Sequence, residues 1–164
     1  MTSRRQFLKH AAGTTLAVSA LSSSAASYAR IIGANDRINV IVMGVGGRGG
    51  VLTQDFAGAS GAIVTDLCDP DVRRCDAANA ELAEGGFAKA RVHTDFRKAL
   101  ESSDTDLMVI AAPDHWHTPG AILGLQAGKH VYLEKPVSHN PAEGELLIKA
   151  QEHHGKIVQV GNQQ

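Results

Sequence analysis

A turn rich in glycine follows the first apolar segment of the sequence, in the stretch GVGGRGG. Gly44, Gly46 and Gly49 fit the pattern G-x-G-x-x-G. Its first glycine allows a tight turn, its second lets the backbone approach a pyrophosphate, and its third lets a helix pack closely on the preceding strand. The N-terminus of that helix offers N–H groups and a positive dipole end to phosphate oxygens. No Lys-Ser or Lys-Thr pair follows, which excludes a P-loop. The stretch therefore predicts a dinucleotide-binding turn that includes Gly47 and Arg48.

An acidic residue follows the second apolar segment, at a spacing that suits the same site. Asp69 lies 20 residues beyond Gly49, where a carboxylate that binds the adenosine ribose is expected. Its charge would favour NAD over the 2′-phosphate of NADP, and the nearby Arg73 and Arg74 would weaken that preference. Asp69 is also followed by Pro70, and Asp-Pro is a common helix start, so Asp69 could instead cap the next helix. On the sequence, both roles stay open.

Two further groups of reactive residue types have ordinary interpretations. Lys135 ends an apolar segment in the stretch VYLEKPVSHN, and on composition alone it is a surface charge, as most lysines are. His115 and His117 lie two residues apart, which supplies too few ligands for a zinc site. We therefore predict no metal site.

The elements that must position these residues alternate between apolar runs and helical stretches. Six runs predict strands, at residues 38–44, 61–69, 90–94, 106–113, 129–136 and 156–162. Helical stretches of about ten to fifteen residues between them favour βαβ units over hairpins. Two of the helix starts carry signals, Thr118 with Pro119 and Asn140 with Pro141 and Glu143. The order predicts an α/β fold of the Rossmann type, with a doubly wound parallel sheet of about six strands.

Composition and the first residues narrow the class of protein. The 164 residues carry a net charge of −1, which gives no reason to expect a nucleic-acid partner, and two cysteines form no disulfide framework. Residues 1–29 combine a twin arginine, a short apolar run and a small-x-small cleavage site. They look like a Tat signal peptide, which predicts export to the periplasm through the Tat translocase. Residues 30–164 then form the folded domain.

Four blocks of the folded part resemble the Gfo/Idh/MocA family, the family of glucose–fructose oxidoreductase and inositol dehydrogenase. They are VIVMGVGGRG, LCDPD, VIAAPDHWHTPGAILGLQAGKHVYLEKPVSHN and IVQVGNQQ. The resemblance implies an N-terminal Rossmann domain that binds NAD or NADP, followed by an α/β domain that shapes the substrate pocket and usually the oligomer interface. The sequence stops at Gln164, where that second domain would begin. We therefore expect an apparent truncation that does not turn over substrate alone, with homo-oligomers only in the full-length protein.

The resemblance also assigns roles to residues of the EKP stretch. It implies that Lys135 is catalytic, near the nicotinamide and the substrate hydroxyl. It implies that Glu134 orients this lysine or touches the cofactor, and that Pro136 follows a cis peptide bond. A cation or base beside a carbinol oxygen lowers the barrier to hydride loss from the neighbouring carbon.

A second loop matches the family pattern T-P-N-x-x-H after the fourth strand. Pro113, Asp114 and His117 occupy it, with Ala112 in place of the threonine and an aspartate in place of the asparagine. The resemblance implies that all three contact the cofactor and that His117 also belongs to the catalytic group. Asn162, after the sixth strand, either reaches the nicotinamide end of the cofactor or belongs to a polar linker.

Together these features imply an exported oxidoreductase that transfers hydride between a nicotinamide cofactor and a sugar, polyol or related carbinol. The cofactor is NAD or NADP, with NAD favoured. An alternative with the same fold is an NAD-dependent glycosidase, in which oxidation, elimination, hydration and reduction recycle the cofactor. A further alternative is a cofactor-binding fragment without catalysis.

Overall fold

The computed structural model describes residues 37–162. Six parallel strands form one sheet in the order β3-β2-β1-β4-β5-β6, which confirms the predicted doubly wound fold. The strands are β1 (Ile38–Met43), β2 (Ala62–Cys68), β3 (Arg91–His93), β4 (Leu107–Ile110), β5 (His130–Glu134) and β6 (Val158–Gly161). The predicted leader at residues 1–29 lies outside the described residues. Within residues 37–162, none of the helices has the length and apolar character needed to cross a bilayer.

Five α-helices connect the strands, and local signals set several of their ends. They are α1 (Arg48–Gly58), α2 (Val72–Glu84), α3 (Phe96–Leu100), α4 (His117–Gln126) and α5 (Pro141–His154). Helix α5 begins as predicted: the side chain of Asn140 accepts a hydrogen bond from the Glu143 N–H at 3.1 Å, and Pro141 is the first helical residue. Its last residue, His154, is followed by the cap residue Gly155, whose φ of 60° is the left-handed conformation that favours glycine.

The start of α4 differs from the prediction. Thr118 and Pro119 were expected at the cap and first position, but α4 begins at His117, with Trp116 at the cap. A short 3-10 helix, Asp114–Trp116, runs directly into α4, so the chain is already helical when it reaches Thr118. The difference moves His117 from a loop into a helix.

Apolar residues fill both faces of the sheet. Val40 and Val42 of β1 pack with α1 and α2 in one cluster. Met43, the residue after Val42, packs with α3, α4 and α5 in the other. Each fully buried aliphatic side chain contributes about 1.5–3 kcal/mol relative to an exposed one. The parallel strands are buried on both faces, which explains their nearly continuous apolar sequences.

This topology gathers the predicted functional residues at one edge of the sheet. In a parallel sheet the carboxyl ends of all strands lie on the same edge, and ligands bind where the strand order reverses, here between β1 and β4. The glycine-rich turn follows β1, Asp69 follows β2, Pro113 follows β4, Lys135 follows β5 and Asn162 follows β6. Five separate segments therefore meet along this edge.

Candidate functional site

The glycine-rich turn requires glycine at positions where any side chain would collide. Gly44 has a φ of +82°, and a Cβ there would lie 2.6 Å from the Ala112 backbone nitrogen. At Gly49 a Cβ would collide with the carbonyl oxygen of Gly44. The turn therefore packs directly on the segment that follows β4 and on itself, as the pattern predicts for a strand and helix in close contact.

The N-terminus of α1 is open and uncapped. Gly47 stands at its cap position with a φ of 50°, no side chain caps the helix, and no acidic residue lies in its first turn. A Cβ at Gly47 would meet nothing within 4 Å, so the space above the turn is free. The first N–H groups of a helix have no carbonyl partner one turn earlier. The Gly49 N–H already donates to the Gly46 carbonyl oxygen at 3.0 Å. The turn thus fits a phosphate group that would accept hydrogen bonds from the neighbouring N–H groups and offset the positive dipole end.

Asp69 ties the end of β2 to the glycine-rich turn. Asp69 is 5% exposed, and its carboxylate accepts hydrogen bonds from the Val45 N–H at 3.0 Å and from the Asp71 N–H at 2.9 Å. Helix α2 begins at Val72, and its cap is Asp71, whose side chain accepts from the Arg73 N–H. The alternative in which Asp69 caps this helix is therefore wrong. A carboxylate has about four acceptor positions, so Asp69 retains capacity for a ribose hydroxyl.

One of the two neighbouring arginines faces this carboxylate. Arg74 Nη1 lies 3.7 Å from Asp69 Oδ2, and a Cβ at Gly46 would lie 2.7 Å from the same nitrogen. The Arg74 guanidinium therefore lies against the second glycine of the pattern. Arg73 instead pairs with Asp71 at 2.8 Å, and its side chain is 89% exposed.

A cavity of about 620 Å³ opens beside Asp69. Its walls include Pro70, Pro113 and the edge-to-face pair of Phe96 and Trp116, whose ring centroids lie 6.0 Å apart. Flat apolar walls next to a ribose-type carboxylate suit a planar base. The sequence alone did not identify residues 94–97, the short loop after β3 and the first turn of α3, which line the cavity. The position of β3 in the same parallel sheet was the signal that could have found them.

Arg48 and Glu134, both predicted as cofactor contacts, contact each other. Arg48 Nε lies 2.9 Å from Glu134 Oε1, with side-chain exposures of 39% and 6%. The hydrogen bond to Glu134 raises the pKa of the Arg48 guanidinium above its ordinary value, and Tyr132 contributes to the same shift. The N-terminus of α1 and the end of β5 are thus joined across the sheet edge.

Lys135 follows the buried Glu134 directly and is itself exposed. Its backbone N–H donates to Glu134 Oε2 at 3.3 Å, and the peptide bond to Pro136 is cis, as expected. The side chain is accessible at the carboxyl edge. Its catalytic role stays a prediction.

His117 is buried and holds two loops together. It is 2% exposed, with Nδ1 2.6 Å from the Pro136 carbonyl oxygen and Nε2 2.8 Å from the Ala112 carbonyl oxygen. These carbonyls belong to the loops after β5 and β4. The predicted catalytic contact stays untested, and these hydrogen bonds favour a role in positioning the loop that follows Lys135.

The other predicted residues of the site lie on its rim. Asp114 Oδ1 accepts from the His115 N–H at 2.8 Å, and Asp114 Oδ2 lies 3.2 Å from His139 Nδ1. The contact with His139 lowers the pKa of the Asp114 carboxyl. Asn162 is exposed after β6, and its cofactor contact stays a prediction. In residues 37–162 no group of three or more His, Cys, Asp or Glu side chains is placed to hold a metal ion.

Comparison with known proteins places the chain among proteins of similar fold. Residues 38–162 match the model of an oxidoreductase family with an NAD-binding Rossmann fold, Gfo/Idh/MocA. A glycosyl hydrolase family 109 protein of Solibacter usitatus (strain Ellin6076) is 33% identical over 92% of this chain and 36% of its own length. The glycosyl hydrolase family 109 protein 2 of Shewanella sp. (strain ANA-3) is 32% identical over 82% of this chain and 34% of its own length. The chain thus spans about a third of these relatives.

Solved structures agree with this assignment. The crystal structure of GenD2 from gentamicin A biosynthesis, in complex with NAD, is 27% identical, has a TM-score of 0.69, and matches 77% of this chain and 34% of that one. The apo scyllo-inositol dehydrogenase from Lactobacillus casei is 25% identical, also has a TM-score of 0.69, and matches 77% of this chain and 36% of that one. The matched residues include the glycine-rich turn, Asp69 and Lys135. The chain belongs to the Gfo/Idh/MocA oxidoreductase family, and residues 38–162 correspond to the NAD-binding Rossmann domain of that family.

Proposed function

We propose that this domain binds NAD along the carboxyl edge of its sheet and supplies Lys135 to an enzyme that removes hydride from a carbinol carbon of a carbohydrate-like substrate. The observation that carries the proposal is the alignment of three segments on one edge. The uncapped α1 terminus, the buried carboxylate of Asp69 and the exposed Lys135 follow β1, β2 and β5 respectively.

Each part of the edge has a distinct share in holding the cofactor. The N–H groups around Gly46 and Gly47 would bind the diphosphate, and Asp69 would accept hydrogen bonds from the adenosine ribose. The cavity lined by Phe96 and Trp116 would take the adenine ring. The negative charge of Asp69 disfavours a 2′-phosphate, which supports NAD over NADP.

Lys135 would act on the substrate oxygen. When NAD is bound, it supplies the hydride acceptor. As the hydride leaves the carbinol carbon, the hydroxyl becomes more acidic and its proton must be lost. The Lys135 amine can take that proton, or its ammonium form can stabilise the developing alkoxide. This step requires a substrate with a hydroxyl group on the carbon that loses the hydride.

The similarity to the curated relatives favours net hydrolysis of a glycoside over net oxidation of the substrate. The relatives at 33% and 32% identity are named glycosyl hydrolase family 109 proteins. In such a reaction, oxidation of the sugar would be followed by elimination, hydration and reduction, so that the nicotinamide would be recycled. A net dehydrogenase is the second candidate, and the similarity to scyllo-inositol dehydrogenase at 25% identity favours it.

The assay uses the protein translated from the complete reading frame that encodes this sequence. It is incubated with NAD and either nitrophenyl glycosides or free polyols. Release of nitrophenol without net change in reduced-nicotinamide absorbance supports the glycosidase. Net reduction of NAD by a polyol supports the dehydrogenase instead. Binding of NAD with neither reaction would contradict both and leave a cofactor-binding module.

Export through the Tat pathway to the periplasm is part of the same proposal. Its support is the sequence of residues 1–29, with the twin arginine Arg4 and Arg5. A fusion of residues 1–35 to a folded reporter should reach the periplasm, and the same fusion with Arg4→Lys and Arg5→Lys should not. A native fusion that stays in the cytoplasm would contradict the proposal.

A further inference from the structure

The ion pair between Arg48 and Glu134 joins two segments that the proposed function treats separately. Arg48 is the first residue of α1, directly after Gly47 of the phosphate-binding turn. Glu134 is the last residue of β5, directly before Lys135. The two residues are 86 positions apart in the chain, yet Nε and Oε1 lie 2.9 Å from each other. This contact joins the start of α1 directly to the residue before Lys135.

The carboxylate of Glu134 is held tightly. Its side chain is 6% exposed, and its second oxygen accepts the Lys135 N–H at 3.3 Å. A Cβ at Gly161 would lie 3.1 Å from Oε1 and would collide with the Tyr132 hydroxyl, so the backbone of β6 packs directly on this group. A buried carboxylate is costly to remove from water unless it is paired and hydrogen-bonded. Glu134 therefore has little freedom to move independently of Arg48.

Arg48 is placed to respond to a phosphate. Its positive charge lies at the positive end of the α1 dipole, where the carboxylate of Glu134 offsets it. The guanidinium has five N–H donors in a planar fork, and the bond to Glu134 uses the one on Nε. The side chain is 39% exposed, so part of the fork remains accessible. A diphosphate on the α1 terminus would add a second anion beside the same guanidinium.

We propose that Arg48 is a positioning residue that couples occupation of the phosphate-binding turn to the placement of Lys135. A diphosphate bound at the turn fixes the guanidinium of Arg48. Arg48 fixes the carboxylate of Glu134, and this carboxylate fixes the backbone N–H of Lys135. The lysine is then set for its substrate only when the cofactor is in place. This inference deepens the proposed function and rests on it.

ADP is the probe that separates this coupling from direct contact. It carries the adenosine and diphosphate groups but no nicotinamide, so it occupies the turn without covering Lys135. The readout is the rate at which an amine-reactive ester labels Lys135 in the 164-residue chain, measured by mass spectrometry. ADP binding is followed in parallel through the fluorescence of Trp116, the single tryptophan of the sequence. We expect saturating ADP to change the labelling rate by about fivefold, the lower end of typical couplings between sites.

The substitution Arg48→Met should abolish this response while ADP still binds at the turn. Glu134→Gln, which keeps the shape of the side chain, should do the same and serves if the first variant does not fold. Arg48→Lys keeps the charge and should restore part of the response. Lys98→Met breaks an exposed ion pair with Glu101 (2.9 Å) and should leave the response intact.

The outcomes separate the two proposals. An unchanged response in Arg48→Met or Glu134→Gln overturns the coupling, and so does a chain that binds ADP without any change at Lys135. A chain that binds neither ADP nor NAD overturns the proposed function, and the coupling with it.

Discussion

The carboxylate of Asp69 accepts a hydrogen bond from the backbone N–H of Val45 at 3.0 Å. This bond joins the end of β2 to the turn that follows β1. The same oxygen, Oδ2, lies 3.7 Å from Arg74 Nη1. Asp69 therefore supports the glycine-rich turn and also sets the charge beside it. Substitutions at this position should affect both cofactor affinity and cofactor choice.

The substitution Asp69→Asn should weaken NAD binding by about tenfold, the scale of one charge-assisted hydrogen bond. It should also raise the affinity for NADP relative to NAD, because the charge that repels the 2′-phosphate is gone and Arg74 loses one of its two carboxylate neighbours, keeping Asp71 at 4.0 Å. Calorimetric titration of both cofactors measures the ratio. Asp76→Asn, an exposed acid on the same α2 helix, is the control. An unchanged ratio in Asp69→Asn would remove Asp69 from cofactor selection.

The substitution Gly49→Ala should unfold the turn locally, because the new Cβ would collide with the Gly44 carbonyl oxygen. We expect a loss of about 3 kcal/mol in the free energy of unfolding and no measurable NAD binding. Gly58→Ala is matched to it, since Gly58 ends the same helix and a Cβ there meets nothing within 4 Å. That variant should be neutral or more stable by up to about 1 kcal/mol. Equal losses in the two variants would contradict the packing described for Gly49.

The buried carboxylate of Asp66 should make stability depend on pH. Burial raises the pKa of Asp66, but hydrogen bonds from Arg91 and His93 together lower it by more than burial raises it. The net pKa therefore lies below the ordinary value. Arg91 contributes two bonds of 2.9 Å, and His93 Nε2 lies 2.7 Å away. The resulting stabilisation is complete above the ordinary aspartate pKa of about 3.9 and is lost as the pH falls from there through the folded pKa.

Urea unfolding between neutral pH and pH 3 or so measures this effect. The substitution Asp66→Asn should cost about 3 kcal/mol at neutral pH, the scale for breaking a buried ion pair. Its stability should then fall less steeply below pH 4 or so than that of the unsubstituted chain. Parallel curves for the two proteins would show that another carboxyl group carries the dependence.

The fold and the edge of the site could be predicted from local patterns. Alternating apolar and helical segments predicted all six strands, and the glycine pattern placed the turn after β1. Helix α5 begins at Pro141 with Asn140 at its cap, as the cap residues indicated, because these contacts involve neighbours in sequence.

Contacts between distant segments could not be predicted in the same way. Arg48 and Glu134 were each assigned to the cofactor, and nothing local showed that they bind each other. The ring of His117 contacts two carbonyl oxygens, and these come together only when the loops after β4 and β5 meet. The position of Phe96 in the cavity was not predicted, because the segment that joins β3 to α3 carries no motif.

The substitution Lys135→Met should separate chemistry from binding and stability. Lys135 is exposed, so its removal should change the free energy of unfolding by less than about 0.5 kcal/mol and leave NAD affinity nearly unchanged. In the protein from the complete reading frame, turnover should fall by at least about a hundredfold. Lys149→Met, at an exposed position on α5, should leave all three quantities unchanged. Full turnover by the Lys135 variant would contradict its catalytic role.

A nuclear magnetic resonance titration of the isotope-labelled 164-residue chain with NAD tests most directly whether the cofactor lies along this edge. We expect the backbone amide signals of Gly46, Asp69 and Lys135 to shift together with one dissociation constant. The signals of Gly61 and Gly128, which precede β2 and β5 at the opposite edge of the sheet, should not move. Absence of any shift, or shifts confined to the opposite edge, would contradict the claim that NAD lies from the glycine-rich turn to Lys135.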